Sequence, residues 1–89
     1  MTEREIQRKG VQALRKLGFE VVVTSNRMRT ANTKGTPDVF VFKYKGGRGW
    51  LALEVKAPSG KVSKEQSRLE EHGAVTVCRS VDEMVEACL

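Results

Sequence analysis

Reactive side chains are scarce in this chain, and each scarcity excludes something. Two cysteines, Cys78 and Cys88, are too few for the multi-bridge framework of a small secreted domain, so a reduced, intracellular protein is expected. Cys78 falls in a strand-like run as a small apolar residue and Cys88 near the chain end has no evident role; no His and Asp arrangement supports a thiol mechanism. The single histidine, His72, sits near an expected helix end without a histidine partner, and the single Tyr44 lies on an expected hairpin, so histidine-metal and tyrosine-centred chemistries are set aside. No stretch approaches the roughly eighteen consecutive apolar residues of a membrane span, and the charged N-terminus has no signal-peptide core. Negative charge is missing from one window in particular. Residues 27–49 hold six cations (Arg27, Arg29, Lys34, Lys43, Lys45, Arg48) and one acid, Asp38, which accounts for the whole net charge of +5. A solubilising surface intersperses both signs, so this segment reads either as a phosphate-facing surface or as a solvated loop and turn.

What is present is enough for one small domain spanning residues 1–89: 39% hydrophobic and 30% charged residues in 89 positions. A chain of this size buries only about 60% of its unfolded surface, so burial against a second copy is expected. Thr2 to Glu5 forms a capping box, and Ile6, Gly10, Ala13, Leu14 and Leu17 follow at helical spacing until Gly18, which predicts a helix over about 3–17. Phe19–Val23 reads as a strand and the polar stretch 24–35 as a loop. Residues 37–42 and 50–55, separated by Gly46-Gly47, read as a hairpin that Pro37 is free to begin. Ser63 to Gln66 and Ser80 to Glu83 are further capping boxes, opening helices to about His72 and Cys88 on either side of a strand over 74–79. The order α-β-β-β-α-β-α points to one sheet with helices on both faces, and Trp50 and Phe19 read as core.

Alternation on the hairpin selects the chemistry. Glu54 and Lys56 share one face of their strand while Leu51, Leu53 and Val55 take the other, an arrangement that by itself fits any half-exposed strand. On the partner strand both faces are apolar, Val39 and Val41 on one side and Phe40 and Phe42 on the other, and Asp38 shares the phenylalanine side. If the antiparallel register sum is even, Asp38 joins Glu54 and Lys56: a sum of 92 sets it opposite Glu54, one of 94 opposite Lys56, and an odd sum breaks the group. Charges at the rim of a covered layer need partners or a metal. Two adjacent carboxylates suit a divalent, oxygen-seeking cation, Mg2+ or Mn2+, and a neighbouring lysine can orient a nucleophile or meet developing charge. The reaction implied is phosphodiester hydrolysis on a backbone held by the basic window. On the first helix, Glu3 falls within the apolar stripe and is expected to face the protein, although the helix dipole also favours a glutamate there; Glu5 is accounted for by its cap.

Glu3 with its neighbours, then Gly35-Thr-Pro37-Asp38, then Glu54-Val-Lys56, then Ser63-Lys-Glu-Gln66 together resemble the PD-(D/E)XK nuclease superfamily, and within it the stand-alone VRR-NUC, virus-type replication-repair nuclease, family. The resemblance covers nearly the whole chain in the expected order, and the ordered set of motifs is far more specific than any one of them. It implies a restriction-endonuclease-like mixed sheet flanked by helices. It also implies that Asp38 and Glu54 bind the metal with the Val55 backbone carbonyl, that Lys56 is the catalytic lysine, and that Glu3 and Gln66 complete the site. Gln66 has a second account as the partner of Ser63 in its capping box. Small stand-alone members resemble Holliday junction resolvases that act as homodimers on branched DNA, so an intracellular, bacterial or phage-encoded endodeoxyribonuclease is expected. The second helix looks about a turn shorter than the family pattern.

Two other readings compete. A nuclease-like fold that binds nucleic acid without cutting it would use the same six cations, with Glu54 and Lys56 as a structural ion pair. A small dimeric scaffold or inhibitor would have no metal site. Met28, inside the basic segment, either packs or inserts at DNA.

Overall fold

The computed structural model describes residues 1–24, 37–43 and 49–89, with the Lys43 side chain outside it. The elements follow the predicted order: α1 (Glu3–Lys16), β1 (Glu20–Val23), β2 (Val39–Lys43), β3 (Gly49–Val55), α2 (Lys64–Glu71), β4 (Thr76–Cys78) and α3 (Val81–Cys88). The Thr2 hydroxyl accepts from the Glu5 amide while the Glu5 carboxylate accepts from the Thr2 amide, so α1 starts where the capping box places it. The Thr2 amide and the Thr2 hydroxyl both donate to the Glu5 carboxylate, which favours its charged form and lowers its pKa. Leu17 closes the helix and Gly18 follows at φ 94, a left-handed conformation that glycine adopts without strain. In α3 the expected box is half formed. Ser80 accepts from the Glu83 amide, but Glu83 reaches one residue further back, to the amide of Arg79 at 2.7 Å.

The sheet is mixed, in the order β1-β2-β3-β4, with β1, β2 and β3 antiparallel in sequence and β4 parallel to β3. Every β2–β3 pair, from Val39 with Leu53 to Lys43 with Gly49, sums to 92. That is the even register that sets Asp38 opposite Glu54. One face carries Val21, Val39, Val41, Leu53 and Val55, all buried, and packs against Ile6, Leu14, Met84 and Cys88 of α1 and α3. The apolar stripe of α1 runs through Ile6, Gly10, Val11 and Leu14; Leu17, expected within it, is the C-cap residue and is 56% exposed. Gly10 admits close contact with α3, since a β-carbon there would collide with the Met84 sulfur.

The opposite face departs from the expectation of cover on both sides. α2 meets it at Glu54 through Gln66, and α2 buries none of its own residues. Val22 and Trp50 are exposed, and Phe40, Phe42 and Ala52 are half-buried. Trp50, read as core, instead lies against Phe42 on this face with ring centroids 5.1 Å apart. The eight residues of α2 are too few to cross the sheet. Phe19 does pack against the main core. Among the described residues, no helix is long and apolar enough to cross a membrane.

Candidate active site

Asp38 lies just ahead of β2, and its backbone is fixed from the β1 side. The Thr24 amide donates to the Asp38 carbonyl at 2.9 Å, and the Thr24 hydroxyl donates to the carbonyls of Pro37 and Asp38. From the other side the Val55 amide donates to Asp38 Oδ2 at 3.0 Å. In an extended strand the N–H and C=O of one residue leave on the same edge, so the Val55 carbonyl also faces the Asp38 side. Thr24 was not singled out by sequence; a threonine ending a β-branched run carries no signal of its own.

Glu54 sits directly across, and it is the only buried charged residue among those described, at 2% exposure. Its two oxygens have different fates. Oε2 accepts from Gln66 Nε2 at 2.6 Å and lies 3.4 Å from Lys56 Nζ, whereas Oε1 is buried with no hydrogen-bond partner. Burial, and then the negative charge of Asp38, push the Glu54 pKa up to about 7, against the opposing pull of Lys56. A carboxylate held this way carries a cost that a bound cation would remove. Among the described residues no group of three or more His, Cys, Asp or Glu side chains gathers. A cation here would therefore be held by two carboxylates, a backbone carbonyl and water, a donor set that suits a hard ion such as Mg2+ better than a soft one.

Gln66 makes two contacts through its amide. Its Oε1 accepts from the Ser63 amide at 3.2 Å in the capping box of α2, and its Nε2 donates to Glu54. Asp38, Glu54, Val55, Lys56 and Gln66 are thus brought together. Glu3 is not: it is exposed in the first turn of α1, one turn beyond Ile6, where the buried stripe begins. The expectation that it faces the protein is corrected accordingly, because burial on α1 begins only at Ile6. Arg27, Arg29, Lys34, Lys45 and Arg48 lie outside the described residues, as does the side chain of Lys43. Cys78 and Cys88 are buried thiols, and burial pushes the Cys78 thiol up to about 12, which leaves it protonated and inert.

A four-strand mixed sheet in this element order, with an acid before β2 opposite a Glu-x-Lys strand end, is a restriction-endonuclease-like fold. The VRR-NUC domain matches residues 7–82, nearly the full length. The chain belongs to the VRR-NUC family, and it is a nuclease-type domain with DNA as the substrate class. No curated protein and no solved structure matches the chain.

Proposed function

We propose that the protein is a metal-dependent endodeoxyribonuclease that hydrolyses phosphodiester bonds of branched DNA such as Holliday junctions, acting inside the cell as a homodimer. The observation that carries the reading is the buried, unpartnered Glu54 Oε1 beside Asp38, within a site where Lys56 and Gln66 already occupy the other oxygen. Asp38, Glu54 and the Val55 carbonyl would hold Mg2+ or Mn2+. When bound, such an ion polarises a phosphate oxygen and lowers the pKa of water enough to supply a nucleophile near neutral pH.

The chain's own groups do the rest. The Lys56 ammonium, 3.4 Å from Glu54 Oε2, orients the incoming water or meets the negative charge on the phosphoryl and leaving oxygens as the water oxygen bonds to phosphorus and the bond to the leaving oxygen breaks. Gln66 fixes the Glu54 carboxylate, so that Oε1 is kept for the cation. Arg27, Arg29, Lys34, Lys43, Lys45 and Arg48 hold the backbone by charge. The partly exposed sheet face bearing Val22, Phe42 and Trp50 supports the homodimer, since a chain this small gains most from covering it.

A second reading, binding without cleavage, takes its support from the Glu54–Lys56 ion pair, which a purely structural role also explains. Incubation of a four-way junction, a matched duplex and a single strand with the protein and Mn2+ or Mg2+, alongside Asp38→Ala, separates the two. Paired symmetric nicks in the junction, absent in the variant, support the dimeric resolvase. Cutting of all substrates alike retains the nuclease without the selectivity. Junction binding with no cutting under either metal favours the binding module.

A further inference from the structure

The end of β4 lies beside the end of β3, with the Cys78 carbonyl accepting from the Lys56 amide at 2.9 Å. The residue after each strand is therefore a close neighbour of the other. Arg79, next in the chain, sends one nitrogen into the turn that follows Lys56: Nη1 lies 2.8 Å from the Ala57 carbonyl, 2.7 Å from that of Gly60 and 3.4 Å from that of Pro58. The turn closes on itself through the Gly60 amide and the Ala57 carbonyl at 2.9 Å. It also lies against the lysine stem, since a β-carbon at Gly60 would stand 3.6 Å from Lys56 Cβ.

Beyond this turn the chain enters α2 at Ser63 and presents Gln66 to Glu54. The turn is thus the backbone link between the two side chains that meet at Glu54 Oε2. Charged donors on carbonyl oxygens make bonds about twice as strong as neutral ones. A three-carbonyl clamp fixes where Lys56 leaves the sheet and where α2 begins.

We infer that Arg79 is a positioning residue for cleavage: its guanidinium holds the 57–60 turn so that Lys56 and Gln66 converge on Glu54. The inference rests on the nuclease reading proposed above. Arg79 touches neither of the candidate metal-binding carboxylates in any described hydrogen bond, so its effect is expected on turnover and not on DNA capture.

The test is steady-state cleavage with Mn2+ of the DNA that the wild-type chain cuts, giving kcat and KM for wild type, Arg79→Ala and Arg79→Lys, with thermal melts of each. Arg79→Ala is expected to lower kcat about tenfold or more with KM within about twofold, in a chain still folded at the assay temperature. Arg79→Lys, which keeps a cationic donor, is expected to recover to within about threefold of wild type. Unchanged kcat in Arg79→Ala overturns the inference and leaves the nuclease standing. A raised KM at unchanged kcat overturns it too, because Arg79 would then contact DNA. An inactive wild type overturns the nuclease reading itself. Should Arg79→Ala fail to fold, Arg79→Gln carries the same comparison, and if neither folds the clamp is structural only and the inference fails.

Discussion

Glu54 concentrates the electrostatics of the site. Its folded pKa of about 7 lies above the ordinary glutamate value, so the native state takes up a proton more readily than the unfolded chain. The associated stability is present below about pH 4.5 and is lost as pH rises through 7. Without metal, the wild type is expected to lose on the order of 3 kcal/mol relative to Glu54→Gln between pH 4.5 and 8, read from denaturant melts of both chains. Parallel curves at all pH values would contradict this. Because a cation competes with that proton, apparent Mn2+ affinity is expected to rise about tenfold from pH 6 to 8 by titration calorimetry. Gln66→Glu should keep the α2 cap, since glutamate also serves at that position, yet place a second carboxylate against Glu54; expected is loss of cleavage with helix content unchanged by circular dichroism.

Elements were more legible than their surroundings. The capping residues Thr2, Ser63 and Ser80 mark the starts of α1, α2 and α3, because a cap is a local arrangement of neighbours in the chain. The hairpin register could be reduced to a parity question, and the observed sum of 92 puts Asp38 across from Glu54. Trp50 and Glu3 were not legible in the same way. Alternation says which side of a strand a residue takes, not whether a helix will cover that side, and a helical stripe does not say where the sheet beneath it ends. Arg79 and Thr24 act across long sequence separations on backbone carbonyls, which carry no side-chain signature. Packing between α1 and α3 gives a test at this scale. Gly10→Ala is expected to destabilise by about 1–2 kcal/mol through collision with Met84, and to become neutral or stabilising in a Met84→Ala background, where only the helical preference of alanine remains.

For the whole molecule, charge and uncovered apolar area are the two quantities that reach beyond a single copy. The window of six cations against one acid predicts that Arg27→Ala with Arg29→Ala lowers the salt slope of DNA binding by about two, measured by titration at several salt concentrations. An unchanged slope would mean these arginines do not meet phosphate. Trp50→Glu is expected to convert a dimer to a monomer by analytical ultracentrifugation while the fold persists, because the residue is 52% exposed within one copy and contributes little to that copy's core.

Gln66 spends one end of its amide on the first turn of α2 and the other on Glu54, and α2 has no buried residue to hold it if that turn opens. Fraying of this short helix and disassembly of the carboxylate's support are therefore one event. On the nuclease reading proposed above, heat is expected to end turnover before the sheet melts, because the helix that steadies Glu54 opens first.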